Sequence, residues 1–391
     1  MADAREFDLI VYGATGFTGQ LVAEYLIENY SDGSLNWAMA GRSLTKLEQV
    51  RGELGAPSDI ALVTADSSDP AALRDMARRT KAVLTTVGPY QLYGSDLVAA
   101  CAASGTHYVD LSGEPAWMRH MIDAHEATAR ENGACIVFSC GFDSIPFDLG
   151  VWAVEQACIE RFGKPAPRVK GRVKSMKGTF SGGTAASARA TMAAAARDPS
   201  ILKLMIDPFA LTPGFTGPEQ PKGMMPHYDD AVGGWVAPFM MATINTKNVH
   251  RSNFLAGNPY GADFVYDEMM IAPGIGDMAK AAAEAIAKAS PIGGEDGPKP
   301  GEGPSREERE TGFYECWFIA EMPDGTSLKS VVKGDRDPGY GSTCKMITES
   351  ALCLIQDGAA KPGIWTAGGL MPEKLAKRLA EKAGVTIMIE G

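Results

Sequence analysis

The chain has 391 residues, 45% apolar and 22% charged, a balance that excludes a largely disordered chain or a coiled coil. At roughly 150 residues per domain, this length predicts two or three domains. The net charge of −11 argues against a nucleic-acid partner, while leaving room for a local basic groove around a phosphorylated cofactor.

No stretch approaches the roughly 18 consecutive apolar residues of a transmembrane helix. Residues 1–8 lack the basic region and apolar run of a secretory signal. The seven cysteines form no Cys-x-x-Cys pair, which reads as reduced thiols in a cytoplasm, without disulfides or a zinc site. The five histidines show no metal-ligand spacing, so no metal is expected.

Phe7–Tyr12 reads as a strand running directly into Gly13-Ala14-Thr15-Gly16-Phe17-Thr18-Gly19. A helix follows, with Leu21, Val22, Tyr25 and Leu26 on one face. Further strands are expected at 35–40, 60–64, 82–87, 108–111 and 134–139, with helices near 70–79, 97–103 and 118–131. This alternation predicts an α/β fold, a doubly wound parallel sheet with helices on both faces.

The glycine cluster is a variant of the dinucleotide fingerprint. Gly13 allows the turn out of the strand, Gly16 clears space for a pyrophosphate, and Gly19 lets the helix lie close to the sheet. The helix N-terminus offers N–H groups and partial positive charge to phosphate oxygens. An NAD site carries an acid about 20 residues beyond the glycines, for the ribose 2′-hydroxyl. Here the second strand ends Ala40-Gly41-Arg42-Ser43, with Lys46 one turn on. Arg42 can grip a 2′-phosphate through its planar fork and Ser43 can add a hydroxyl, so NADP is preferred.

Later strand ends should line the same crevice. Asp66 is placed for the adenine, and Val87-Gly88-Pro89-Tyr90 for the nicotinamide ribose. Asp110 and Glu114 either orient substrate or cap the next helix. Gly141-Phe142-Asp143 lies where the nicotinamide should sit, and Ser144 reads as a helix cap before Pro146.

After a linker at 164–167, residues 168–176 alternate basic and apolar, as an exposed strand would. Phe180-Ser181-Gly182-Gly183-Thr184 introduces an alanine-rich helix at 185–196. Trp235, Phe239, Met240 and Met241 form an apolar patch that reads as core or as lipid contact. A helix is expected at 277–289, a mobile loop at 291–304, and antiparallel strands at 313–320 and 327–333. Gly339-Tyr340-Gly341 opens a helix to 356, and a helix at 372–382 and a strand at 385–389 close the chain.

Together these segments resemble the saccharopine dehydrogenase-like oxidoreductases, and more narrowly their trans-acting enoyl reductase branch. The glycine cluster, Ala40-Gly41-Arg42, Val87-Gly88-Pro89-Tyr90 with Tyr93-Gly94, and residues 105–114 carry the resemblance. So do Gly141 to Pro146, Ser181 to Thr184, Trp235 to Met240, Val249-His250-Arg251-Ser252 and Gly339-Tyr340-Gly341. The resemblance implies an NADP-binding Rossmann domain and an inserted α+β domain built on an antiparallel sheet. The cofactor domain is expected to hold residues 1–150 plus 340–370. A substrate and oligomerisation domain would hold 151–339 plus 371–391.

The implied activity is NADPH-dependent reduction of an activated C=C in a lipid or polyketide-type intermediate of glycolipid synthesis. Tyr90, Tyr93, His107 and Arg251 are the candidate proton donors, since each can donate a hydrogen bond toward a developing enolate. A rival reading is an amino-acid or imine oxidoreductase, with Arg168, Arg172, Arg189 and Arg251 for substrate carboxylates. A third is a redox sensor that binds NADP without turnover. The expected partner is a lipid-like small molecule in the cytoplasm. A homodimer and peripheral contact with the plasma membrane stay open, the latter without a basic amphipathic helix to support it.

Overall fold

The computed structural model describes residues 5–179, 182–289 and 302–391. Phe180 and Ser181, and the loop expected at 291–304 as far as residue 301, lie outside the described residues.

Seven short strands form one all-parallel sheet. Its order is Gly363–Trp365, Cys135–Val137, His107–Val109, Thr80–Thr85, Phe7–Tyr12, Trp37–Gly41, Ala61–Thr64. All five residues of Trp37–Gly41 are buried, as expected of a strand covered on both faces. From Phe7–Tyr12 the chain builds outward to one edge, then returns to add Thr80–Thr85 on the other side. That reversal opens a crevice at the carboxyl ends of the two central strands. Asp69 and Pro70 show how local chemistry starts a helix here. The Asp69 carboxylate accepts from the N–H groups of Ala71 and Ala72, and Pro70 supplies a preset φ at the first position.

The second sheet also has seven strands, in the order Val385–Glu390, Ser327–Gly334, Phe313–Glu321, Arg168–Lys177, Val265–Ile271, Gly234–Pro238, His227–Asp229. It is antiparallel at every pair but one, since Arg168–Lys177 and Val265–Ile271 run parallel. Parallel neighbours need a long crossover. The chain between these two strands supplies it, including helices Gly182–Arg197, Pro199–Ile206 and Ala242–Leu255.

Helix Ile145–Phe162 joins the two sheets. It leaves the first sheet after Cys135–Val137 and lies on the inner face of the second, where Phe147 meets Phe318 edge to face at 5.9 Å. Gly150 is required there, because a Cβ would enter the Phe318 ring. The outer face carries Arg172, whose guanidinium is buried between Asp229 and Asp267 at 2.8 and 3.1 Å.

The Gly339 segment forms a wide helical turn, Pro338–Ser342, ahead of helix Thr343–Ile355. Asp337 caps it, accepting from Tyr340 N at 2.9 Å and Gly341 N at 2.6 Å. Helix Pro372–Lys382 then leads to the last strand. Among the described residues, no helix is long and apolar enough to cross a membrane, and no cluster of metal-ligating side chains occurs.

Candidate active site

The glycine loop leaves Phe7–Tyr12 and enters helix Phe17–Asn29. Gly13 has φ +92°, and a Cβ there would come 2.7 Å from Val87 Cγ2. A Cβ on Gly19 would overlap the Gly13 carbonyl, so the helix presses directly on the turn. Gly16 differs: its Cβ would meet only the Gly13 oxygen, at 3.3 Å, with open space beyond. No side chain caps the helix N-terminus, and Gly16 itself is extended. The loop is therefore a bare cradle of backbone N–H groups, the arrangement a pyrophosphate needs. Ala14 is buried, Thr15 and Thr18 flank the loop, and the Phe17 ring turns away against Tyr340 at 5.2 Å.

Arg42 is exposed at the end of Trp37–Gly41. Ser43 caps helix Leu44–Glu53 by accepting from Lys46 N at 3.4 Å, and the Lys46 side chain is exposed. Asp66 accepts from Ser68 N and Oγ, and these bonds, with the nearby Arg42 charge, hold its carboxyl below the usual range. Val87, Gly88 and Pro89 follow Thr80–Thr85 beside Gly13, and Thr86 Oγ1 donates to the Gly13 carbonyl at 3.4 Å.

Glu114 sets the course of this second loop. Its carboxylate accepts from Tyr90 N at 2.9 Å and Gln91 N at 2.8 Å, so it clamps a neighbouring turn and does not cap its own helix. Asp110 is fully buried and accepts from Ser112 N, Ser139 N and the Tyr108 hydroxyl, each at 2.9 Å. Burial pushes it up to about 7, against those hydrogen bonds. Both acids organise strand ends.

Of the four proposed donors, the structure brings two to the crevice. Tyr90 lies there, but its hydroxyl donates to Thr85 O at 3.3 Å and accepts from Leu111 N at 3.1 Å, so it is already engaged. Tyr93 is exposed on the rim of the same turn. His107 heads its strand, and so stands at the amino edge of the parallel sheet, opposite the crevice. Its Nδ1 accepts from Cys135 N at 3.2 Å, and burial lowers its pKa. Arg251 is a core tether, with its two terminal nitrogens on the carbonyls of Leu211 and Ile364 at 2.5 and 2.6 Å. Both leave the donor set for a positional reason.

The segment after Cys135–Val137 supplies what remains. Gly141 is wedged against Leu111 and Thr343, and Phe142 is buried with its N–H on Thr343 Oγ1 at 2.9 Å. Asp143 is partly accessible, yet its Oδ1 is buried without a hydrogen-bond partner. Burial pushes Asp143 up to about 7. Ser144 caps nothing; its hydroxyl accepts from Asn248 Nδ2 at 2.8 Å.

Sequence reasoning missed the buried polar groups of helix Ala242–Leu255 and strand Val265–Ile271. Helix Ala242–Leu255 places Asn245 and Asn248 on one face, three residues apart. Asn245 Nδ2 donates to Glu268 Oε2 at 2.9 Å, and Tyr266 OH donates to Glu268 Oε1 at 2.9 Å. Both Asn245 Oδ1 and Asn248 Oδ1 are buried and unpaired. Burial pushes Glu268 up to about 8; the charges of Asp267 and Asp143 act the same way, against the bonds from Asn245 and Tyr266.

The rival reading's arginines are elsewhere. Arg168 and Arg172 are paired with acids on the outer face of the second sheet, Arg251 is in the core, and Arg189 is exposed on helix Gly182–Arg197. Trp235 lies against helix Asp277–Lys288, beneath Lys280 at 5.4 Å, and Phe239 is core, stacked on Phe147 at 5.5 Å. The sequence patch is thus mostly packing.

A parallel sheet with a bare glycine cradle, arginine at the second strand end and a second mixed sheet defines an NADP-binding oxidoreductase. Residues 9–137 match the saccharopine dehydrogenase NADP binding domain. In fold, the chain is similar to apo saccharopine dehydrogenase (L-Glu forming) from Saccharomyces cerevisiae, with TM-score 0.53 and 13% identity over 98% of this chain and 99% of that one. The Mycobacterium ulcerans trans-acting enoyl reductase is 35% identical over 98% of this chain and 97% of its own. The Mycobacterium leprae trans-acting enoyl reductase is 36% identical over 98% of each. The chain belongs to the saccharopine dehydrogenase-like family, in its trans-acting enoyl reductase branch.

Proposed function

We propose that this protein is an NADPH-dependent reductase of an activated carbon–carbon double bond in a lipid-type intermediate. The observation that carries the lipid reading is an apolar rim beside the Gly88–Gln91 turn. Leu92, Met192, Leu202 and Ile206 are 61%, 60%, 50% and 71% exposed on three neighbouring helices. Gln91 Nε2 ties the first of these to the second through Thr191 Oγ1 at 3.0 Å. Exposed apolar side chains on adjoining helices beside this turn suit an acyl chain.

In this reading the Gly13–Gly19 backbone holds the pyrophosphate, and Arg42, Ser43 and Lys46 hold the 2′-phosphate. Asp66 serves the adenine end, and Val87, Gly88, Pro89, Gly141 and Phe142 shape the nicotinamide end. The bound dihydronicotinamide supplies a hydride. The protein orients both partners, excludes water and provides a proton.

The test is NADPH oxidation with trans-2-enoyl thioesters of N-acetylcysteamine. As the chain lengthens across the rim, kcat/KM should rise by about fourfold for each methylene buried. A second reading, an imine substrate, is favoured by the Asp143 and Glu268 carboxyl groups, which could hold an iminium cation. Turnover of imines with none of enoyl thioesters would put it in first place.

A further inference from the structure

The first turn of helix Phe17–Asn29 is covered by the segment that leads into strand Phe313–Glu321 of the second sheet. Gly303 lies so close to the Phe17 ring that a Cβ there would enter it. Ser305 and Glu308 then cap each other and start the short helix Arg306–Glu310. Arg306 reaches Glu24, further along the cofactor helix, at 3.6 Å. The Arg309 carbonyl accepts from Asp337 N at 3.0 Å, which fixes the short helix against the turn Pro338–Ser342. These contacts place the Arg309 guanidinium over the Phe17 ring, 5.7 Å from its centroid.

Phe17 directly follows Gly16, so its N–H belongs to the uncapped cradle. Arg42 and Lys46, the cations of the proposed 2′-phosphate site, stand apart at the second strand end. A pyrophosphate brings negative charge of its own, which backbone dipoles answer only in part. Arg309 is half-buried. Among the described residues no carboxylate pairs with it, and one of its N–H groups donates to Pro304 O at 2.7 Å. The neighbouring Asp337 carboxylate is already taken up by Tyr340 N and Gly341 N. Glu308 and Glu310 turn to Ser305 and Arg306. A guanidinium held on an aromatic face keeps N–H groups at its edge for a phosphate.

We propose that Arg309 is a cofactor-binding residue, whose guanidinium pairs with the pyrophosphate held on the Gly13–Gly19 backbone. The segment 303–310 thereby clasps the nucleotide from the side of the second sheet. Its ligand class is a dinucleotide with a 5′-diphosphate, whatever the 2′ group. The inference concerns the nucleotide site alone and does not depend on which substrate is reduced.

The experiment is equilibrium titration of the full chain. Arg309→Gln should weaken NADPH and NADH by the same factor, about tenfold or more. Adenosine 2′-monophosphate has no pyrophosphate and should bind variant and wild type alike. Added salt should narrow the NADPH gap between the two proteins, as a charge contact requires. An Arg309→Gln protein that binds NADPH within about twofold of wild type overturns the inference. So does equal weakening of adenosine 2′-monophosphate, which would show that Arg309 only props the loop through Phe17.

Phenylglyoxal labelling of the wild type adds a readout that needs no variant. NADP+ and inorganic pyrophosphate should each slow modification of Arg309, located by peptide mass spectrometry, and adenosine should not. Modification at one rate throughout, or slowed equally by adenosine, overturns the inference.

Discussion

Two buried glutamates in this molecule have opposite surroundings. Glu349, on helix Thr343–Ile355, accepts from Tyr25 OH at 2.7 Å and Tyr30 OH at 2.8 Å, and pairs with Arg378 Nε at 2.6 Å. It ties helix Phe17–Asn29 to helix Pro372–Lys382 and carries a cation partner. Glu268 also has a tyrosine hydroxyl and one further donor, but its charged neighbours are acids. The first arrangement fastens the C-terminal helix to the cofactor-binding half. The second leaves a buried carboxyl group with no cation beside it, and burial raises its pKa. A buried carboxyl group is therefore read by its partners and not by its burial.

The sharpest way to break this comparison is to remove each charge. Glu349→Ala leaves Arg378 and two tyrosines without their acceptor and should cost ~3–5 kcal/mol in urea unfolding at neutral pH. Glu268→Gln should not destabilise the protein there, since a neutral amide needs no proton to stay buried. Equal losses would mean that Glu268 is a structural anion like Glu349.

Next in size is the cofactor end. Arg42→Ala should weaken NADPH binding by ~1.5–3 kcal/mol and leave NADH nearly unchanged, as read by equilibrium titration. Equal wild-type affinity for the two nucleotides would remove the role given to Arg42.

The pH slope separates the two glutamates as well. The Glu268 carboxyl is raised from 4.5 to about 8, so between those values the folded state holds a proton that the unfolded chain has released. Stability from this group is complete at low pH and is lost as pH rises toward about 8. Glu268→Gln should flatten the stability curve between those values. An unchanged slope would place the Glu268 pKa in the ordinary range.

The cofactor half was legible because its chemistry demands particular backbones. Gly13, Gly16 and Gly19 are needed for a left-handed turn, an open cradle and a close helix, so their spacing survives as a pattern. The buried Asn245–Glu268–Tyr266 cluster leaves no such pattern. Helix Ala242–Leu255 buries Asn245, Lys247, Asn248, His250 and Arg251, which erases the apolar stripe by which a helix is recognised. Strand Val265–Ile271 carries two acids at its centre, one facing each side, and reads as surface. His107 stands at the amino end of its strand whether that strand starts at 107 or, as expected, at 108. The left-handed Gly105 ends the preceding helix, and the residues just after it lie at the sheet edge away from the crevice. That glycine was a usable signal.

The proposed function makes the glycine cradle the seat of a nucleotide that reduces a carbon–carbon double bond. The most direct test follows the label from NADPH deuterated at the transferable C4 position into trans-2-dodecenoyl-N-acetylcysteamine. Mass spectrometry of the product should show a saturated thioester with one deuterium at the β-carbon. NADPH consumed without a saturated product, or a saturated product without the label, would contradict the account.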